Sequence, residues 1–383
     1  MSSRSTNRLA CALLAAGAVI LSACGSAGSA ASSSSSTSNS SSTSAASADG
    51  SPTPGSATPT SSAPVTTAAE EKLDPTALVV YNAQHENLTQ AWADEFGKAN
   101  NVKVQLRNGS DLEMANQIVA EGTASPADVF ITENSPGMNI VEKAELFQNV
   151  DKATLSAVPA QYSPTTGKWV GVAARSTVFV YNPAKLTEGQ LPKSLMDLAD
   201  PSWKGRWAAS PGGADFQAIV SAMYELEGAD ATKAWLTSMK ENFKAYKGNT
   251  TVMKAVNAGE IDGGVIYHYY WYGDQAGTKE NSKNTKLLFF GKQDPGAFVS
   301  VSGAGILASS KKKDVAQKFL RFVVSKQGQE IVANNVFEYP VLDTRTETNR
   351  SLAPLAGLDA PQVDPATLNS SQVVDLMTEV GLL

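Results

Sequence analysis

From residue 77 to residue 133 the hydrophobic pattern changes period again and again, and few folds accept such a chain. "ALVVYNA" (77–83) is a continuous apolar run ending in a loop, which reads as a buried strand. "NLTQAWADEFGKAN" follows, with Leu88, Trp92 and Phe96 at i, i+4 and i+8, the spacing of an amphipathic helix. "VKVQL" (102–106) reads as the next strand and Asn108-Gly109 as a turn. Ser110 with Glu113 makes a capping box for a helix running through Val119. "ADVFITE" (127–133) is a third strand. Strand, helix, strand, helix, strand in that order predicts an α/β fold with a parallel sheet. Such sheets bind ligands at the carboxyl ends of their strands. His85, just past the first strand, and Glu133, at the end of the third, therefore belong to one rim.

The pattern repeats further on. "KWVGVAARSTVFVYN" (168–182) reads as a pair of strands with a polar break at Arg175-Ser176. A second α/β alternation covers about 206–290, with helices expected near 215–227, near 232–242 and after Asn249, and "GGVIYH" (263–268) as its last strand. "FVSVSGAGILA" (298–308) is β-rich again, and one long helix is expected over "KDVAQKFLRFVVSKQGQEIVANN". Two β-rich crossings around an α/β unit predict two lobes with a binding cleft between them. The expected lobes are 77–175 with 300–350, and 176–299 with 351–383.

The N-terminus has a different composition. Arg4 and Arg8 precede an apolar run, "LACALLAAGAVILSAC", too short for a membrane span and suited to an export signal over residues 1–23. It ends in Leu21-Ser22-Ala23-Cys24-Gly25, which resembles the bacterial lipobox; the resemblance implies lipidation of Cys24 as the first mature residue. Cys11 would leave with the signal. The mature chain then has no disulfide and no cysteine-based metal site, so any metal must be held by oxygen and nitrogen. From residue 25 to about 72 the chain is Ser, Thr, Ala, Pro and Gly with almost nothing apolar to bury. Residues 24–76 are expected to be a lipidated, flexible tether, with a reach on the order of 40 Å. This combination predicts a monomeric protein anchored by lipid on the extracytoplasmic face of a bacterial membrane. With 31 Lys and Arg against 37 Asp and Glu and no basic stripe, nucleic acid is not an expected partner.

Residues 267–272 read Tyr-His-Tyr-Tyr-Trp-Tyr, and the chain has just two histidines, His85 and His268. Phenol oxygens hold metal well when the ion is hard and highly charged, as Fe3+ is, because such a cation displaces their protons. The bland alternative is an aromatic patch that packs the core. Adjacent side chains on a strand point to opposite faces. Tyr269 and Tyr270 can therefore share an ion only where the strand has ended, as at a strand-to-helix junction.

Several segments together resemble the periplasmic ferric-iron-binding proteins of ABC importers, the bacterial transferrins. They are "YNAQHE" (81–86), "SPADVFITE" (125–133), "ARSTVFVYN" (174–182), "PSWKGRW" (201–207), "NAGEIDGGVIYHYYW" (257–271) and "DPGAFVSVSGAGIL" (294–307), in family order over about 78–350. The resemblance implies a two-lobed periplasmic-binding-protein fold of type II. It further implies a ferric ion held in the cleft by His85, Glu133, Tyr269 and Tyr270, and delivery to an ABC permease and its ATPase. Two phenolates and a carboxylate would balance Fe3+, with a neutral imidazole as fourth ligand. Family members commonly add a small anion. Here the family's Ser-Gly-Ala loop is read as Gly212-Gly213-Ala214, and an anion-binding asparagine is replaced by Tyr267. Backbone N–H groups of 212–214 with Asn249, and Arg175 near the crossover, are the candidate anion partners. Phosphate is doubtful on this pattern; carbonate, citrate or no anion remain open. His268 is expected outside the ligand set.

Two other classes are compatible with parts of this pattern. Related two-lobed binders carry polyamines, phosphonates or thiamine, and Tyr267, Trp271 and Tyr272 could stack an organic cation. An enzyme is not expected: there is no HExxH, no Ser-His-Asp order and no Walker loop, and two histidines leave little general-base machinery.

Overall fold

β1 (Leu78–Ala83) is buried along its whole length. Leu78 and Val80 enter one hydrophobic cluster and Val79 and Tyr81 another, so the strand has packed helices on both faces. α1 (Glu86–Asn100) buries Leu88, Trp92 and Phe96, the predicted stripe. β2 (Val104–Asn108), α2 (Asp111–Glu121) behind its Ser110/Glu113 capping box, β3 (Val129–Thr132) and α3 (Ser135–Lys143) complete the first unit. β1 lies between β2 and β3, parallel to both. The computed structural model describes residues 73–383 apart from positions 343, 345 and 347. The expected signal segment, Cys24 and all but the last residues of the expected tether lie outside the described residues. Among the described residues no helix is long and apolar enough to cross a membrane.

After the single-turn α4 (Lys152–Leu155) comes β4 (Trp169–Tyr181), and here the structure corrects the sequence reading. Arg175-Ser176 does not break a pair of strands; β4 is one strand of 13 residues, all buried. Its first part, through Ser176, pairs antiparallel with β9 (Val299–Ile306), and from Thr177 onward it pairs with β7 (Gly263–Tyr267). The polar dipeptide marks the hand-over from one sheet partner to the next.

The second unit contains β5 (Trp207–Ala209), α5 (Ala214–Glu227), α6 (Ala229–Asn242), β6 (Phe243–Ala245), α7 (Asn249–Ala258), β7, α8 (His268–Ala276) and β8 (Lys286–Leu288). β5 is parallel to both β6 and β7. The strand order is β2-β1-β3-β9-β4-β7-β5-β6. One pair of hydrophobic clusters covers the first half of this series and another pair the second half. The molecule is thus a two-lobed α/β protein with β4 running through both halves.

The expected long helix is in fact two, α9 (Lys313–Val323) and α10 (Lys326–Asn335). Ser325 ends the first and caps the second, accepting the Gly328 N–H at 3.2 Å. The bend brings Gly328 against the preceding helix, where an added Cβ would lie 2.3 Å from the Phe322 carbonyl oxygen and 2.4 Å from that of Val323. The Gly328 carbonyl accepts the Trp92 indole N–H at 2.8 Å, tying α10 to α1. β10 (Tyr339–Pro340) then adds to β4, and α11 (Ser370–Glu379) closes on α5 and α6.

Gly328→Ala forces a backbone shift that a side-chain rotation cannot relieve. Its expected cost is about 2 kcal/mol, visible as a lowered midpoint in urea denaturation; an unchanged midpoint would contradict the close packing of α9 on α10.

Candidate metal centre

Each of the four expected donors stands where an element begins or ends. His85 is the N-cap residue of α1, just beyond β1, and its backbone N–H donates to Gln84 Oε1 at 2.7 Å. Glu133 follows β3, with its N–H donated to Asp111 Oδ1 at 2.8 Å. Tyr269 and Tyr270 lie in the first turn of α8, immediately after β7 ends at Tyr267. The strand-to-helix junction does what the tyrosine pair required: the two rings stack with centroids 4.2 Å apart.

The structure brings His85, Glu133 and Tyr269 together, with the Tyr270 ring stacked on Tyr269. Tyr269 Oη donates to Glu133 Oε1 at 2.5 Å, and His85 Nε2 lies 3.8 Å from the same oxygen. The His85 ring meets Tyr269 edge-on at 5.1 Å. Tyr270 Oη donates instead to Asp215 Oδ2 at 3.1 Å.

Further polar residues surround the donors. Asp215, in the first turn of α5, accepts from Asn249 Nδ2 at 2.6 Å and from Asn134 Nδ2 at 2.9 Å. Asp111 accepts the backbone N–H groups of Glu133 and Asn134. Glu338, fully buried just before β10, lies 2.9 Å from His85 Nε2 and 2.9 Å from Arg175 Nη2. It also accepts from Gln84 Nε2 at 3.2 Å.

The expected anion partners fare unevenly. Arg175 is fully buried at the β4 hand-over, where it is engaged with Glu338 and with Ser302 Oγ. Asn249 points at Asp215. Gly213 commits its N–H to the Ser210 carbonyl at 3.0 Å, so it is not available to a cradle; Gly212 is open on its Cβ side, and Ala214 opens α5. Of the remaining aromatic cluster, His268 is buried, stacks on Tyr339 at 4.5 Å and accepts the Ser176 N–H at 3.2 Å. Tyr267 is buried, with its hydroxyl 3.4 Å from the Asp215 carbonyl oxygen.

Burial and crowded acids govern the protonation states. Burial, reinforced by Glu133, pushes Asp111 up to about 8 and Asp215 up to about 7. Burial and the neighbouring carboxylates also hold the Tyr269 and Tyr270 phenols above their ordinary value. For His85, burial pulls downward but Glu338 and Glu133 outweigh it, and the net shift is upward. Burial would raise Glu338, yet Arg175 and His85 bring it down to about 2. His268 is driven down to about 3, chiefly by burial, and stays neutral.

Sequence reasoning does not single out Asp111, Asn134, Asp215 or Glu338. Asp215 has a detectable signal, an acid directly after the loop where an anion was expected. Asp111 looks like an ordinary first-turn acid, and Glu338 has no local signal.

Residues 124–362 match the family described as bacterial extracellular solute-binding proteins. The chain is 64% identical over 307 residues to the Fe(3+)-binding periplasmic protein of Serratia marcescens, covering 80% of this chain and 90% of that one. Among solved structures it resembles iron-bound HitA from Pseudomonas aeruginosa, with a TM-score of 0.75, 40% identity and coverage of 80% and 100%. It also resembles a Trichodesmium protein (IdiA, FutA) in complex with iron and citrate, with a TM-score of 0.71, 26% identity and coverage of 80% and 99%. These relatives are binding proteins, not enzymes.

The raised acids set a pH dependence. Asp111 and Asp215 ionise near 8 and 7 when folded but near 3.8 when unfolded, so stability is greatest while both are protonated and falls as pH rises from about 4 to 8. The upward shift of His85 adds to the fall over its own range, His268 held down to about 3 opposes it between about 3 and 6.5 without matching the two acids, and Glu338 matters only below about 4.5. The metal-free protein should therefore melt at a lower temperature at pH 8 than at pH 5, and Asp215→Asn should flatten that slope. A melting temperature that rises over the interval would refute this assignment.

Proposed function

We propose, since the chain belongs to the bacterial extracellular solute-binding proteins and its relatives bind ferric iron, that it captures Fe3+ between its lobes for import. The carrying observation is the convergence on Glu133 Oε1: Tyr269 from one lobe at 2.5 Å and His85 from the other lobe at 3.8 Å, with Tyr270 stacked behind Tyr269. Hard, anionic oxygens around a single imidazole favour a small trivalent cation over Zn2+ or Cu2+. Because both phenols are held protonated, loading must expel a proton from each. Acid therefore favours release.

Asp215 supports coordination without an added anion. Its carboxylate lies within hydrogen-bond reach of Tyr270 and is held by Asn249 and Asn134. Carbonate, phosphate or citrate would have to displace a carboxylate that is already tethered there. We assign His85, Glu133, Tyr269 and Tyr270 as ligands and Asp215 as the fifth donor. Arg175, paired with Glu338, offsets nearby negative charge rather than gripping an anion.

The lobes are assigned as 77–175 with 300–350 and 176–299 with 351–383, which places the boundary at the β4 hand-over. An ion with ligands in both lobes clips them together, and weakening the clip by protonation, reduction or opening lets it go. Delivery to an ABC permease and ATPase, action as a monomer and anchoring through a lipidated Cys24 complete the reading. The polyamine, phosphonate or thiamine alternative has no comparable support. Trp271 donates to Thr285 Oγ1, Tyr272 stacks on Phe337 and Tyr267 is buried, so the rings that would cradle an organic cation are engaged elsewhere.

Purified protein given ferric citrate and then freed of excess should show a visible phenolate-to-iron band. Tyr269→Phe or Tyr270→Phe should weaken or abolish it and lower iron retention at least about 100-fold. A colourless wild-type protein that gains no thermal stability from ferric salt would sink the proposal. The band should survive exhaustive removal of carbonate, phosphate and citrate, whereas Asp215→Asn should become dependent on one of them. Cys24→Ala should move the protein from the membrane to the soluble fraction.

A further inference from the structure

We propose that Asn134 is a positioning residue for the ion site: its amide ties Asp215 in one lobe to Asp111 in the other and thereby sets where the Asp215 carboxylate meets the ion. The inference rests on the ferric reading above and on Asp215 as a donor.

Asn134 directly follows Glu133 and is 1% exposed. Its Nδ2 donates to Asp215 Oδ1 at 2.9 Å and to Asp111 Oδ2 at 3.2 Å. Its Oδ1 accepts from Ser300 Oγ at 2.8 Å and lies 3.5 Å from Tyr267 Oη. Its backbone N–H donates to Asp111 Oδ2 at 3.0 Å. Both donors and both acceptor positions of the side-chain amide are thus engaged, which leaves it one orientation. The partners come from distant parts of the chain: α2, α5, the end of β7 and β9.

The chemistry requires an amide. Asp111 and Asp215 are buried acids that repel each other once ionised, and a neutral group with two N–H donors gives each a partner without adding charge. Leucine fills similar space and bonds neither. Threonine has one hydroxyl proton and cannot serve both. Because Asn134 shares Asp111 with the Glu133 backbone N–H, a shift in Asp215 is transmitted to the segment that carries Glu133. The amide therefore couples two donors that approach the ion from opposite lobes. A residue that acts this way loses its influence when Asp215 is no longer a carboxylate, and that separates positioning from general support of the fold.

The test is a double-mutant cycle on metal release. Wild type, Asn134→Leu, Asp215→Asn and the double variant are loaded with ferric citrate, and the visible band is followed while EDTA withdraws the iron. Metal-free melting is recorded alongside. Asn134→Leu and Asp215→Asn should each release iron about tenfold faster than wild type, and the double variant should be no faster than Asp215→Asn alone. If Asn134→Leu does not fold, Asn134→Thr carries the same expectation. Independent losses that multiply in the double variant, or wild-type release from Asn134→Leu, would overturn the positioning role while leaving the ferric reading intact. A wild-type protein that never develops the band would overturn both.

Discussion

Four acids, Asp111, Glu133, Asp215 and Glu338, converge where the two lobes meet, and Arg175 is the one fully buried arginine or lysine among the described residues. Isolated charge is costly to bury, so such a region must stay protonated, pair internally or take up a cation. Without a metal, this protein uses the first two. Glu338 pairs with Arg175, Asp111 and Asp215 are pushed toward their neutral forms, and Glu133 accepts a hydrogen bond from the Tyr269 phenol. A trivalent cation held there would change that balance by displacing the phenol protons and giving the acids a counter-charge.

The fold is arranged to keep these groups at one place while leaving the lobes distinct. β4 passes through both halves, and Arg175 sits at its hand-over, so the fixed positive charge lies at the boundary. Glu338 reaches that point from beside β10, which pairs with β4 at Ala173 and Ala174. His85 and Glu133 arrive from the carboxyl ends of β1 and β3 in the first lobe. Tyr270 and Asp215 arrive from the N-terminal turns of α8 and α5 in the second. A ligand at the boundary can therefore report on lobe separation through every one of these elements.

Much of this was legible from periodicity. The alternation over 77–133 specified three strands and two helices because short continuous apolar runs and apolar spacing of nearly four residues cannot be satisfied by one element type. It also put His85 and Glu133 at a common rim, since parallel strands end on the same side. The tyrosine pair demanded a strand-to-helix junction on geometric grounds, and α8 starts one residue before Tyr269. The failures have local causes as well. Arg175-Ser176 looked like a break because a buried arginine is rarely stable in a strand; Glu338, far along the chain, supplies its partner. The 313–335 stretch looked like one helix because its apolar spacing hardly falters, yet Ser325 caps a second helix and Gly328 permits a close approach that only packing reveals.

By itself the amino-acid sequence determined the α/β class, the order of elements, the shared rim of His85 and Glu133, and the absence of cysteine ligands from the body. Those follow from local spacing and composition, which any folded state must respect. Only the tertiary structure decided that Asp215 stands within reach of Tyr270, that Glu338 neutralises Arg175, and that Asn134 bridges two acids. Each of these joins residues well separated in the chain, by 55 positions for Asp215 and Tyr270 and by 81 for Asn134 and Asp215. An acid's role depends on the partner it meets after burial, and no local pattern encodes that partner.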